Sequence, residues 1–169
     1  MKPLVGIIMG SDSDAPIMQE AAKTLQQFGI EYEIGVYSAH RSPHRTNEYV
    51  TSARARGLKM IIAGAGSSAH LAGVAAAETI LPVIGVPIDS SPLSGFDALM
   101  ATVQMPPGVP VSTMGVGKSG AINAAILAVE ILALSDPGLA EKLVDYKAKL
   151  EVAVAEKSKK VASEIGPKG

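Results

Sequence analysis

Three runs along the chain are apolar without a break: "LVGIIM" at 4–9, "MIIAGA" at 60–65 and "VIGVPI" at 83–88. A strand with one wet face alternates apolar and polar residues. These runs do not alternate, so both of their faces need cover, as in a parallel sheet lying between helices. The segments between them supply the helices. "APIMQEAAKTLQQFG" (15–29) carries Ile17, Ala21, Leu25 and Phe28 on one face and stops at Gly29, which suits a left-handed C-terminal cap. "PHRTNEYVTSARARG" (43–57) has proline at its first helical position and Gly57 at its end. "HLAGVAAAET" (70–79) and "SGFDALMATV" (94–103) predict two more helices, "EYEIGVY" (31–37) a less buried strand and "VPVSTM" (109–114) a fifth strand. "SGAINAAILAVEILAL" (119–134) is apolar nearly all round and reads as a buried helix. Asp136 as N-cap and Pro137 then open a last helix over about 137–164, and "GPKG" at 166–169 reads as a frayed end.

Strand and helix therefore alternate, which predicts an α/β fold of three layers, αβα, with right-handed crossovers and an extra long C-terminal helix. No internal repeat or linker interrupts it, so residues 1–169 read as a single domain with its core at 3–135. Charged residues make up 18% of the chain and the net charge is -1, which argues against nucleic acid as a partner. There is no cysteine, so neither a disulfide nor thiolate chemistry is available. No apolar run approaches the ~20 residues of a membrane span, and the short apolar start turns polar too soon for a signal peptide. A cytoplasmic protein without membrane attachment is expected.

In an open parallel sheet, ligands bind beyond the carboxyl ends of the strands. Three polar loops fall there: "GSDSD" (10–14), "SAHR" (38–41) and "GAGSSAH" (64–70). In the first, small residues and a following helix N-terminus suit an anion, with Ser11 and Ser13 as donors. Asp14 repels phosphate but accepts from sugar hydroxyls; the plainer alternative is that Ser13 or Asp14 caps the helix. In the second, Arg41 can grip a phosphate and His40 can give and take a proton near neutrality. In the third, G-x-G-x-x-A between a strand and a helix, with Asp89 ending the next strand, partly satisfies a dinucleotide fingerprint. His70 in that loop either faces a ligand or bonds to backbone at the helix start.

Other motifs point away from common chemistries. "STMGVGKSG" (112–120) ends like a phosphate-cradling loop, but Ser112 stands where the first glycine belongs. The three histidines, His40, His44 and His70, form no helical metal pair, since Pro43 separates the first two; no metal is expected.

Together, "GSDSD", "SAHRSP", "AGAGSSAHLAG", "GVPI" and "VQMPPGVPV" resemble, in order and spacing, the signature loops of the N5-carboxyaminoimidazole ribonucleotide mutases of purine biosynthesis, which include phosphoribosylaminoimidazole carboxylase catalytic subunits. The resemblance runs over about residues 4–134. It implies a flavodoxin-like, Rossmann-like parallel sheet, a homo-octamer, no cofactor, and an isomerase that moves a carboxylate from an exocyclic nitrogen to a ring carbon of a ribonucleotide. It implies substrate binding by Ser11 and Asp14, phosphate contacts at Ser38 and Arg41, acid–base catalysis by His40, and a loop of Ala65, Gly66 and His70 lining the base and carboxylate. "SSAHLAG" departs from the smaller residues and "HLPG" usual there.

The chemistry of the residues agrees. Protonating the carbamate nitrogen releases CO2, the ring carbon attacks that CO2, and its proton then leaves, so one histidine suffices for both transfers. Glycine- and alanine-rich walls at 63–69 and the "QMPPG" loop are expected to keep the CO2 in. The last helix places Leu139, Leu143, Tyr146, Leu150, Val154, Val161 and Ile165 in one apolar stripe, which calls for a partner surface and hence an oligomer. Three alternatives stand beside this: a relative that carboxylates with free CO2, a dinucleotide oxidoreductase built on "GAGSSA", and a non-catalytic nucleotide-binding flavodoxin-like module.

Overall fold

A computed structural model describes residues 2–165; the predicted frayed end at 166–169 lies outside the described residues. In chain order the elements are β1 (Val5–Met9), α1 (Ala15–Phe28), β2 (Tyr32–Val36), α2 (Pro43–Arg56), β3 (Met60–Ala65), α3 (Leu71–Glu78), β4 (Val83–Pro87), α4 (Phe96–Val103), β5 (Ser112–Thr113), α5 (Lys118–Ala133) and α6 (Pro137–Ile165). A 3-10 turn, Asp12–Asp14, leads into α1. The five strands are parallel in the order β2-β1-β3-β4-β5.

The apolar strands are buried on both faces because helices cover both. Ile8, Ile61 and Ala63 pack with Val50 and Ala53 of α2 and with Leu71, Ala72 and Ala75 of α3. The neighbouring residue of β3, Gly64, faces the other way, where a Cβ would run into the Met18 side chain of α1. Lys118 at the start of α5 pairs with Glu20 of α1 at 3.3 Å, on that same side. The helix ends follow the predicted chemistry: Gly29 and Gly57 close α1 and α2 at φ 75° and 107°.

Three elements differ from the sequence reading. The fifth strand pairs only over Ser112–Thr113, since the prolines before it lack an N–H for the ladder. The fourth helix starts two residues late because Ser94 and Gly95 take left-handed backbone, φ 52° and 81°. The fifth helix is not buried all round. Ala121, Ala124, Ala125 and Ala128 are buried, whereas Ile122, Ile126, Leu127, Ile131 and Leu132 keep partial exposure.

Contacts divide the chain into two compact units between Ala128 and Val129. The first holds the whole sheet. The second contains the end of α5 and the 29-residue α6, a rod of roughly 44 Å at 1.5 Å per residue. Asp136 caps α6 as expected, its Oδ1 accepting from the Leu139 N–H at 3.1 Å. Leu139 and Leu143 are buried, but Leu150, Val154, Val161 and Ile165 are half exposed or more.

Candidate active site

Register gathers the loops. Met9 lies level with Val36 on one side and Gly64 on the other, and Ala65 lies level with Pro87. Four strands thus release their chains at one height, and β1, flanked by β2 and β3, marks the point where the winding reverses. A cleft of about 430 Å³ opens there. Its lining includes Ser11, Ser13 and Asp14 after β1, Ser38, His40 and Arg41 after β2, and Ala65 and Gly66 at the end of β3. Of the predicted site residues only His70 is absent from that wall, and it reaches the cleft through His40. His40 Nε2 lies 2.8 Å from His70 Nδ1, with the rings edge to face.

That bond bears on one of the two sequence readings of His70. It opens α3 at the N-cap position but makes no side-chain cap bond, so it is not a helix-start histidine tied to backbone. An N-to-N bond between imidazoles holds one proton between them, donated by one ring and accepted by the other. The pair can therefore pass a proton without help from solvent.

Arg41 is anchored at its backbone and at one edge of its guanidinium. Its N–H donates to Ser38 Oγ at 3.1 Å, and its Nη2 donates to the Gly10 carbonyl at 2.9 Å. A guanidinium has five N–H donors, so several remain for an anion in the cleft. Asp14 is the buried counterweight, only 4% exposed. It does not cap α1; its Oδ2 turns back and accepts from the Ser11 N–H at 3.1 Å. That bond is one half of a capping box on the 3-10 turn before α1, and Ser11 Oγ, accepting from the Ser13 N–H, is the other. Burial pushes the Asp14 carboxyl above the usual carboxylate range, partly offset by the Ser11 N–H bond and the Arg41 cation.

Sequence reasoning placed Ser67 and Ser68 in a wall of the site without giving them a role, and missed Ser90 in the lining. Ser90 follows β4, so the strand-end rule that found the other loops would have reached it. Its Oγ accepts from the Ser67 N–H at 3.0 Å, and Ser67 Oγ donates to the Ser90 carbonyl at 3.3 Å, fastening two loops together. The "QMPPG" loop does not line the cleft of a single chain. Instead Met105 sits over Gly73 of α3.

The competing motifs lose their support. Asp89, needed for a dinucleotide ribose, is not among the lining residues. Gly117 makes a turn whose N–H donates to the Pro87 carbonyl at 2.8 Å, and Lys118 beside it is engaged by Glu20. Among the described residues no group of three or more metal-ligating side chains occurs, and no helix is long and apolar enough to cross a membrane.

Residues 4–153 match the family described as AIR carboxylase. The N5-carboxyaminoimidazole ribonucleotide mutase of Pyrococcus abyssi is 58% identical over 145 residues, covering 86% of this chain and 82% of that protein. The same-named mutase of Bacillus subtilis is 52% identical over 158 residues, 94% of this chain and 98% of the other. Among solved structures, PurE of Treponema denticola matches with a TM-score of 0.81 at 29% identity, covering 98% of this chain and 99% of that one. With the fold, the family match and relatives of more than half identity in agreement, the chain belongs to the AIR carboxylase family.

Proposed function

We propose that the chain is an N5-carboxyaminoimidazole ribonucleotide mutase of purine biosynthesis, an isomerase that moves a carboxylate from the exocyclic nitrogen to a ring carbon. The observation that carries this reading is the joining of an anchored guanidinium to a bonded imidazole pair in one small cleft, within a family whose near relatives bear that name.

Ser38 and Arg41 hold the substrate phosphate, with Ser11 and Ser13 as further donors, and Asp14 accepts from the ribose hydroxyls. His40 gives its proton to the carbamate nitrogen, the C–N bond breaks, and CO2 forms beside Ala65 and Gly66. The ring carbon attacks the CO2, and the proton on that carbon returns to His40. One proton leaves the imidazole pair and one comes back, so the cycle balances without cofactor or net acid. His70, sharing the proton, holds His40 in the required orientation.

The enzyme works in the cytoplasm as a homo-octamer. Support for assembly comes from large apolar side chains that a single chain leaves in water: Ile80 at 79% exposure, Phe96 at 63% and Leu134 at 88%. Light scattering should give the mass of eight chains, and a monomer at micromolar concentration would reject assembly. The reaction itself is tested by supplying the N-carboxylated substrate and following the ultraviolet absorbance of the product. Aminoimidazole ribonucleotide carboxylated equally fast at millimolar bicarbonate would make the chain a CO2-using carboxylase instead.

A further inference from the structure

Buried threonine hydroxyls in the first unit divide into two kinds. Thr24 donates to Glu20 O at 2.8 Å and Thr102 to Ala98 O at 2.7 Å, each one turn back on its own helix. Such bonds only satisfy the hydroxyl. Thr46, 1% exposed, lies in the first turns of α2 and does something else. Its Oγ1 lies 3.0 Å from Ser42 O, one turn back, and 3.1 Å from Ser38 O, eight residues back and outside the helix. Both carbonyls already hold another donor, so the hydroxyl lies between two acceptors, and only the contact with Ser38 ties the helix to the loop before it.

Ser38 O is a knot. It also accepts from the Ser42 N–H at 3.0 Å and from Ser42 Oγ at 3.2 Å, while the Ser38 N–H donates to Ser42 Oγ at 3.1 Å. Ala39, His40 and Arg41 are the residues strung between the two tied ends. Thr46 does not line the cleft, so it touches no ligand there. A valine would fill the same volume, and burying a hydroxyl is unfavourable unless it is bonded. What sets this threonine apart from Thr24 and Thr102 is its second contact, to the loop.

We infer that Thr46 is a positioning residue for the carboxylate transfer: its buried hydroxyl fixes the Ser38 carbonyl and thereby holds His40 against His70 and Arg41 against Gly10. The inference rests on the mutase reading for its catalytic consequence, but its geometric content stands apart from it. Two variants separate positioning from mere stability. Thr46→Val keeps the shape and loses the hydroxyl; Thr46→Ser keeps the hydroxyl and loses a buried methyl. Only Thr46→Ser opens space in the core, so a loss confined to Thr46→Val is not a packing effect.

Two readouts are taken on the full chain. In turnover, Thr46→Val should lose about tenfold to a hundredfold in kcat/KM, as a displaced catalytic group does, while Thr46→Ser stays within about threefold of wild type. In 15N-histidine NMR, simple with three histidines, the proton shared by two imidazoles should be visible in wild type and Thr46→Ser and absent in Thr46→Val. Wild-type kcat/KM and an intact imidazole signal in Thr46→Val would overturn the inference. So would a Thr46→Ser loss as deep as the valine's, or a wild type with no shared-proton signal. If the wild type fails to turn the substrate over, the mutase reading falls and the imidazole signal alone decides the role of Thr46.

Discussion

Gly66 and Ser90 face each other across the floor of the cleft, and the space between them admits no added carbon. A Cβ at Gly66 would overlap Ser90 Oγ, lie 2.8 Å from Ser90 Cβ and 3.1 Å from the Ile88 carbonyl oxygen. The hydroxyl can rotate away, at the cost of its bond from the Ser67 N–H, but the two β-carbons cannot. Carbon atoms in contact sit about 3.5–4.0 Å apart, so Gly66→Ala has to part the two loops by roughly 1 Å. His70 is four residues further along one of those loops. A displacement of that size typically costs about a hundredfold in rate, or roughly 2.7 kcal/mol of barrier. Overpacking should also cost about 1–3 kcal/mol of stability. The assay is turnover of the N-carboxylated substrate in a double-mutant cycle with Ser90→Gly, which removes both the hydroxyl and the opposing β-carbon. In the Ser90→Gly background the alanine should cost less than about threefold. A Gly66→Ala enzyme within threefold of wild type would refute the argument, as would an equal penalty in both backgrounds.

His40→Asn should lower kcat by about a hundredfold or more while substrate still binds, measured by calorimetry beside turnover; more than about a tenth of the wild-type rate would end its acid–base role. Arg41→Ala should raise KM chiefly, since a lost charge-assisted bond costs on the order of 2–3 kcal/mol, and unchanged affinity would put the phosphate elsewhere. Asp14→Asn should weaken substrate binding yet flatten the pH dependence of stability. The folded protein keeps the Asp14 proton to a higher pH than the unfolded chain, so folding takes up a proton and this group's contribution declines as pH rises from the ordinary carboxylate range through the raised value. Thermal melts should therefore find Asp14→Asn gaining on wild type as pH rises through that window; a constant difference, or a variant that loses ground, would contradict the burial cost.

The layers of the fold were legible because burial leaves a local mark. Non-alternating runs name the central strands, and Gly29 and Gly57 name helix ends by their backbone freedom alone. The misreadings have one physical root: composition was taken for environment. "VPVSTM" has strand-forming residues, but proline withholds the N–H that pairing needs. The fifth helix has an apolar residue on every side, yet it is Val129 and four of its alanines that pack closely within the chain, and its isoleucines and leucines stay partly exposed. Periodicity reports where apolar groups lie and is silent on what covers them.

The site was legible for a different reason. Chemistry-bearing residues at strand ends are few, and strand ends in a parallel sheet share an edge, so Ser11, Asp14, Ser38, His40 and Arg41 could be assembled before any distance was known. What could not be assembled were the contacts between loops. His40 and His70 are 30 residues apart, and Ser67 and Ser90 are 23 apart. No spacing rule connects either pair, because the connection runs across strands set side by side in the order β1-β3-β4 beside β2. The consequence is chemical. Read one loop at a time, His40 is a lone base and His70 a helix start. Joined at 2.8 Å, they are one proton-holding unit whose geometry depends on two separate anchors, Thr46 under one loop and Ser90 under the other. A residue pair of this kind is specified by the loops that meet at it, and so its sensitive positions lie outside the motif that names it.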